Sequence, residues 1–197
     1  MKQLILATGN RDKVRELAEI LPEGTYEVQT MKEAGFTGKI IENGTSFQEN
    51  ALIKAHAVAL AFPDKIVLAD DSGLEVDALG KEPGIYSSRY MGEDTPYEIK
   101  NAEIMRRLED VPREARTARY VCAMAAVLPN GRELTTQETM EGEIAYEAAG
   151  NGGFGYDPIF YVPQYDLTAA ELTPEQKNAI SHRGKALRAM VKLLEEA

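Results

Sequence analysis

The 197-residue chain contains one cysteine, no tryptophan and only two histidines. A lone Cys122 excludes an internal disulfide and a cysteine-built zinc site. It lies inside the apolar run Val121 to Leu128, so we expect it to be buried and inert. That run is the longest in the chain and falls far short of the ~18 residues a membrane span needs. Leu4 to Ala7 is too short for the core of a signal peptide. The expectation is a soluble, cytoplasmic protein with no membrane partner. Positive charge is scarce too: 22 Lys and Arg stand against 32 Asp and Glu, a formal net charge of −10. Such a chain lacks the basic footprint that grips a phosphate backbone, which excludes a nucleic-acid polymer as its partner.

What is present suffices for a globular fold. Hydrophobic residues make up 44%, and a domain of this length buries roughly 70% of its unfolded surface. Lys2 to Ala7 reads as a buried strand, followed by Val14, Leu17, Ala18 and Leu21 at helical spacing. Ser46-Phe47-Gln48-Glu49 has the form of a capping box opening a second helix, and Thr95-Pro96 with Glu98 that of a third, with Ile104 and Leu108 inward. The stretch Asn101 to Leu108 carries no further signal. Ile66 to Ala69 reads as a short strand, and Leu74 to Leu79 alternates like a half-buried one. Tyr120 to Leu128 and Glu133 to Met140 flank Pro129-Asn130-Gly131, which predicts a hairpin with a type I′ turn. Ile159 to Val162 reads as another strand. Thr173-Pro174-Glu175-Gln176 caps a further helix, and Leu187, Met190, Val191 and Leu194 form one face of the last. With no repeat or linker, residues 1–197 read as a single domain, or two lobes sharing a core. The predicted class is α/β, with a mixed central sheet flanked by helices.

Four places carry chemistry. The loop Thr8-Gly9-Asn10-Arg11-Asp12-Lys13 joins a strand to a helix, so backbone N–H groups and the positive dipole end suit a phosphate. No Walker A pattern occurs anywhere in the chain. Asp70-Asp71-Ser72-Gly73 follows an apolar strand, where ligand-facing loops emerge, and alternation would send the two carboxylates to opposite faces. A hard divalent cation suits one of them, with Glu42 or Glu49 as the second ligand. Gly150-Asn151-Gly152-Gly153-Phe154-Gly155 matches G-x-G-x-x-G, yet Tyr156-Asp157-Pro158 and a strand follow instead of a helix. We therefore reject a dinucleotide site and expect close backbone approach, with Phe154 or Tyr156 stacking on a base. Finally, Pro174 to Leu193 holds Lys177, Arg183, Lys185, Arg188 and Lys192 against Glu175 alone, a local reversal of charge. His182 and Arg183 offer donors there, Ser181 is an expected N-cap, and Lys185, Arg188 and Lys192 read as a solvated face. His56 reads as a helix-face histidine.

Thr8-Gly9-Asn10-x-x-Lys13, the Glu42 loop, Ser46-Phe47-x-Glu49-Asn50-Ala51, Ala69 to Leu74, Gly153 to Pro158 and Ser181-His182-Arg183 occur in the order and spacing of one family. The chain resembles the inosine/xanthosine triphosphate pyrophosphatases, with Asn43 a small departure where that family usually has Thr. The resemblance implies two lobes with an active-site cleft between them, a homodimer, and Mg²⁺-dependent hydrolysis of dITP, ITP or XTP to monophosphate and pyrophosphate. It implies that Thr8 to Lys13 hold phosphate, with Lys54 and Arg89 adding cationic contacts. Glu42 and Asp71 would bind metal, and Asp71 would also act as general base beside Ser72. Phe154, Gly155, Tyr156, Asp157, Lys177, His182 and Arg183 would hold the base and nearby sugar or phosphate. The alternatives are a related pyrophosphatase for modified pyrimidine nucleotides and a non-catalytic nucleotide-binding module.

Overall fold

The computed structural model describes residues 1–197. The strands are β1 (Lys2–Leu6), β2 (Tyr26–Thr30), β3 (Ile66–Val76), β4 (Thr117–Val127), β5 (Glu133–Ile144), β6 (Phe160–Val162) and β7 (Leu167–Thr168). The α-helices are α1 (Arg11–Ile20), α2 (Phe47–Ala59), α3 (Tyr97–Arg107), α4 (Pro174–Ile180) and α5 (His182–Glu195). All seven strands join one sheet in the order β2-β1-β3-β4-β5-β6-β7. β1 pairs in parallel with β2 and β3, whereas β6 runs antiparallel to β5 and β7, so the sheet is mixed as expected.

The chain divides into two compact units. The first comprises Met1–Ser72, Cys122–Glu138 and His182–Ala197, and the second Gly73–Val121 and Thr139–Ser181. In the first, Leu4, Leu6, Leu68, Cys122 and Met124 pack with Leu17 and Leu21 and with Leu187, Met190 and Leu194 of α5. Each such side chain contributes about 1.5–3 kcal/mol by leaving water. Cys122 is buried, and burial pushes its thiol up to about 12. In the second, Leu74, Val76, Tyr120, Met140 and Phe160 pack with Ile104 and Leu108. The hydrophobic core therefore forms two clusters instead of the shared one expected. The strands β3, β4 and β5, of 11, 11 and 12 residues, contribute to both units, which explains why no linker marks the boundary.

Several local expectations are corrected. Asp70 to Gly73 is not a loop: β3 runs unbroken through it, and Asp77–Leu79 is a 3-10 helix where the strand was expected to continue. Aspartate and glycine are poor strand formers, but tertiary partners override that preference. The Thr173 capping box is complete. Ser46 caps α2, yet Glu49 turns its carboxylate to the N–H and hydroxyl of Thr45. Thr95 does not cap α3, because its hydroxyl donates to the Met91 carbonyl and the helix begins after Pro96. The hairpin turn is not type I′. Gly131 donates to the Leu128 carbonyl, and of the turn residues only Gly131, at φ 79°, is left-handed. Pro129 at the first central position favours the type I turn plus left-handed residue seen here. The strands β2 and β7 had no counterpart in the sequence reading, and Asp157–Ile159 is a 3-10 helix preceding a shorter β6.

Candidate active site

The first unit builds a charged centre from β3 outward. Consecutive residues on a strand face opposite ways, and Asp70 and Asp71 accordingly meet different helices. Asp71 accepts from Lys54 Nζ of α2 at 2.9 Å and from the Asn50 amide one helical turn earlier at 3.3 Å. The same ammonium lies 3.0 Å from Glu42 Oε2, so Lys54 ties both carboxylates together. Burial raises the Asp71 carboxyl above its ordinary range, and Glu42 adds to that beyond what Lys54 and Lys13 take back. Burial opposes the Lys54 charge, but Asp71, Asp70 and Glu42 outweigh it and raise its pKa.

On the other face of β3, Asp70 takes Lys13 Nζ of α1 at 2.8 Å and Arg183 Nε of α5 at 3.5 Å. Burial would raise its carboxyl, yet Lys13, Arg183 and Lys54 hold it well below the usual carboxylate range. Arg183 also pairs with Glu16 and donates to Ser72 Oγ at 3.0 Å. Asp70, Lys13, Arg183, Ser72 and Glu16 thus form one buried network. Glu16 carried no sequence signal beyond its helical position, and Asn50 could have been found from its i, i+4 relation to Lys54.

The loop before α1 caps its own helix. Asn10 Oδ1 accepts from the N–H groups of Asp12 and Lys13 at 2.9 and 3.2 Å, and Thr8 Oγ1 from Asn10 at 3.2 Å. The amides of Gly9 and Arg11 face no partner within the loop, whereas the Lys13 ammonium is held by Asp70. Arg11 is exposed, and Asp12 pairs with Arg15 at 3.0 Å. His182 is buried at the start of α5, directly after Ser181.

The second unit gathers its residues around Asp157. One carboxylate oxygen accepts from the Phe154 N–H at 2.8 Å and from Lys177 Nζ at 2.8 Å, and the other from the Tyr120 hydroxyl at 3.1 Å. Gly153 is needed here: its φ is +66°, and a Cβ would come within 2.1 Å of Asp157 Oδ2. Lys177 Nζ sits 5.0 Å from the Phe154 ring centroid. Tyr156 is buried, donates to the Ser87 carbonyl at 2.6 Å and packs edge-on against Tyr97. Of the two aromatics offered for stacking, half-buried Phe154 is the accessible one. The 3-10 helix Gly84–Arg89 ends at Arg89, whose guanidinium lies 5.0 Å from the Tyr86 ring.

The donor chemistry at Glu42 and Asp71 fits a hard divalent cation: both ligands are carboxylates, and a positive charge, the Lys54 ammonium, already stands between them. The chain is thus an α/β protein whose mixed sheet carries, on β3, a carboxylate that Lys54 ties to Glu42. A profile of the Ham1 family matches residues 4–193, and the chain belongs to that family. It is 50% identical to a dITP/XTP pyrophosphatase of Desulforamulus reducens over 98% of this chain and 95% of that protein. The identity to one from Bacillus subtilis is 48%, over 99% and 98% of the two chains. Among solved structures, a HAM1 protein from Coxiella burnetii superposes with a TM-score of 0.90 at 41% identity, covering 100% of both chains. The Staphylococcus aureus Ham1 protein superposes at 0.88 with 40% identity and 99% coverage of each.

Proposed function

We propose that this chain hydrolyses non-standard purine nucleoside triphosphates, dITP, ITP and XTP, to the monophosphate and pyrophosphate. The observation that carries the reading is the Asp71–Lys54–Glu42 constellation, with Asp71 and Lys54 buried, in a chain closely similar to named dITP/XTP pyrophosphatases. Glu42 and Asp71 would hold Mg²⁺, which would supply neutralisation of triphosphate charge and acidify a bound water. Asp71 orients the attacking water toward the α phosphorus and accepts its proton; the basicity that burial adds suits that task. Lys54 and Lys13 already sit on carboxylates, so each can pass to a phosphate oxygen without leaving an anion-rich setting. Thr8 to Lys13, with Ser72, hold phosphate, and Arg89 adds a cationic contact. Charge stabilisation and positioning supply the catalysis, and no covalent nucleophile is required.

Phe154 offers the base a face, with Gly155, Tyr156 and Asp157 shaping the loop. Donors on His182 or Arg183 match the O6 acceptor of hypoxanthine and xanthine, and Lys177 helps hold the base or the nearby sugar or phosphate. Adenine presents an amino group there, a donor facing a donor, and a mismatch of this kind is worth roughly 10⁴–10⁵ in discrimination. The reading takes residues 1–197 as one functional domain that works as a cytoplasmic homodimer on the free nucleotide pool. Pyrophosphate release from a panel of purine and pyrimidine triphosphates, with wild type and Asp71→Asn, tests it. We expect dITP and XTP to be preferred, and Asp71→Asn to lose at least about 10²-fold with its fold intact. Preference for a modified pyrimidine, or near-normal release by Asp71→Asn, would overturn it.

A further inference from the structure

The middle of α3 holds two adjacent polar residues that the proposed reaction does not use. Lys100 and Asn101 are 1% and 5% exposed. Neighbours on a helix point about 100° apart, and these two reach different backbone segments of the second unit. Lys100 Nζ donates to the Ser88 carbonyl at 2.7 Å, in the 3-10 helix that ends at Arg89, and lies 4.8 Å from the Tyr97 ring centroid. Asn101 Nδ2 donates to the Gly155 carbonyl at 3.2 Å, in the loop that presents Phe154 and Asp157. The two segments are also tied to each other, because the Tyr156 hydroxyl donates to the Ser87 carbonyl. Ser87 in turn anchors its own helix through Gly84 and takes the Leu74 N–H.

Packing does not require these residues, since Ile104 and Leu108 already bury the apolar face. A lysine ammonium buried on a carbonyl and a ring, without a carboxylate partner, costs desolvation that an apolar side chain would avoid. That cost is compensated if the ammonium fixes something whose position matters. We propose that Lys100 and Asn101 are positioning residues for the nucleotide: Lys100 fixes the Arg89 segment and Asn101 the Phe154–Asp157 loop, so that one rigid helix sets both. This rests on the functional reading above, which gives Arg89 and Phe154 to Asp157 their roles.

The test compares Lys100→Met and Asn101→Ala with Ile104→Val, a core change in the same helix that removes neither hydrogen bond. Amide hydrogen exchange and steady-state kinetics with dITP are measured on each full-length variant. Lys100→Met should speed exchange in residues 84–89, Asn101→Ala in residues 153–157, and each should raise KM about tenfold with kcat within about twofold. Ile104→Val should show none of these local effects. Uniform faster exchange across the second unit, or a KM equal to that of Ile104→Val, overturns the proposal. A wild type that releases no pyrophosphate from dITP overturns the functional reading instead, and the exchange measurement then decides alone whether α3 holds the two segments.

Discussion

Replacing Lys54 by Met is the perturbation whose consequences follow most directly from the geometry. Met keeps much of the stem volume and removes the ammonium that sits 2.9 Å from Asp71 and 3.0 Å from Glu42. The Lys54 and Asp71 side chains are each 10% exposed, whereas Glu42 is 35% exposed. Glu42 can therefore turn to water; Asp71 cannot. Stranding one member of a buried pair costs ~3–5 kcal/mol, and relief at Glu42 places this case near ~3. Urea denaturation at pH 7, followed by circular dichroism, reads the loss. A divalent cation should substitute for the lost charge, so Mg²⁺ should stabilise the variant by about 2.7 kcal/mol at a hundredfold excess over its Kd, and the wild type by less. NaCl at equal ionic strength is the control. A loss below about 1 kcal/mol, or equal stabilisation of both proteins by Mg²⁺, would refute the shared role of these carboxylates.

In the second unit, Asp157→Asn should destabilise by ~3 kcal/mol, because Lys177 keeps a buried ammonium without its anion. Adding Lys177→Met should recover part of this, and a purely additive double variant would contradict the pairing. Asp77 supplies a pH prediction. Hydrogen bonds from Arg119, Lys81 and Thr117 hold its carboxyl well below the ordinary value, so the unfolded chain takes up the proton first. Its stabilisation is present above the unfolded pKa of about 3.9 and is lost as pH falls toward the folded one. Asp77→Asn should therefore cost about 1 kcal/mol at pH 7, allowing for its partial exposure, and less at about pH 2.5. Urea titrations at both pH values check this, and a deficit that grows on acidification would contradict it.

The sequence was most legible where one local rule decides the outcome. Thr173 and Gln176 cap α4 reciprocally because both partners lie within one turn of helix, and the apolar face of α5 follows from spacing alone. Long-range partners overrode local preference elsewhere. Asp70 to Gly73 looked like a loop at the end of an apolar strand, yet Lys13, Lys54 and Arg183, from three different helices, hold those carboxylates inside an unbroken strand. The opposite orientation of Asp70 and Asp71 was legible, since alternation depends only on backbone geometry. Lys100, Asn101 and Arg116 were not, because a charged or amide residue is expected at the surface. Arg116 is buried through bonds to the carbonyls of Leu108, Ile144 and Ala145, partners that no spacing rule brings together.

The proposed reaction turns on attack of water at the α phosphorus of a non-standard purine nucleotide. Hydrolysis of dITP with Mg²⁺ in ¹⁸O-labelled water, read by phosphorus NMR, tests it in one measurement. Attack at that atom puts label in the nucleoside monophosphate, leaves pyrophosphate unlabelled and yields no orthophosphate. Label in pyrophosphate, or orthophosphate as the product, would contradict it.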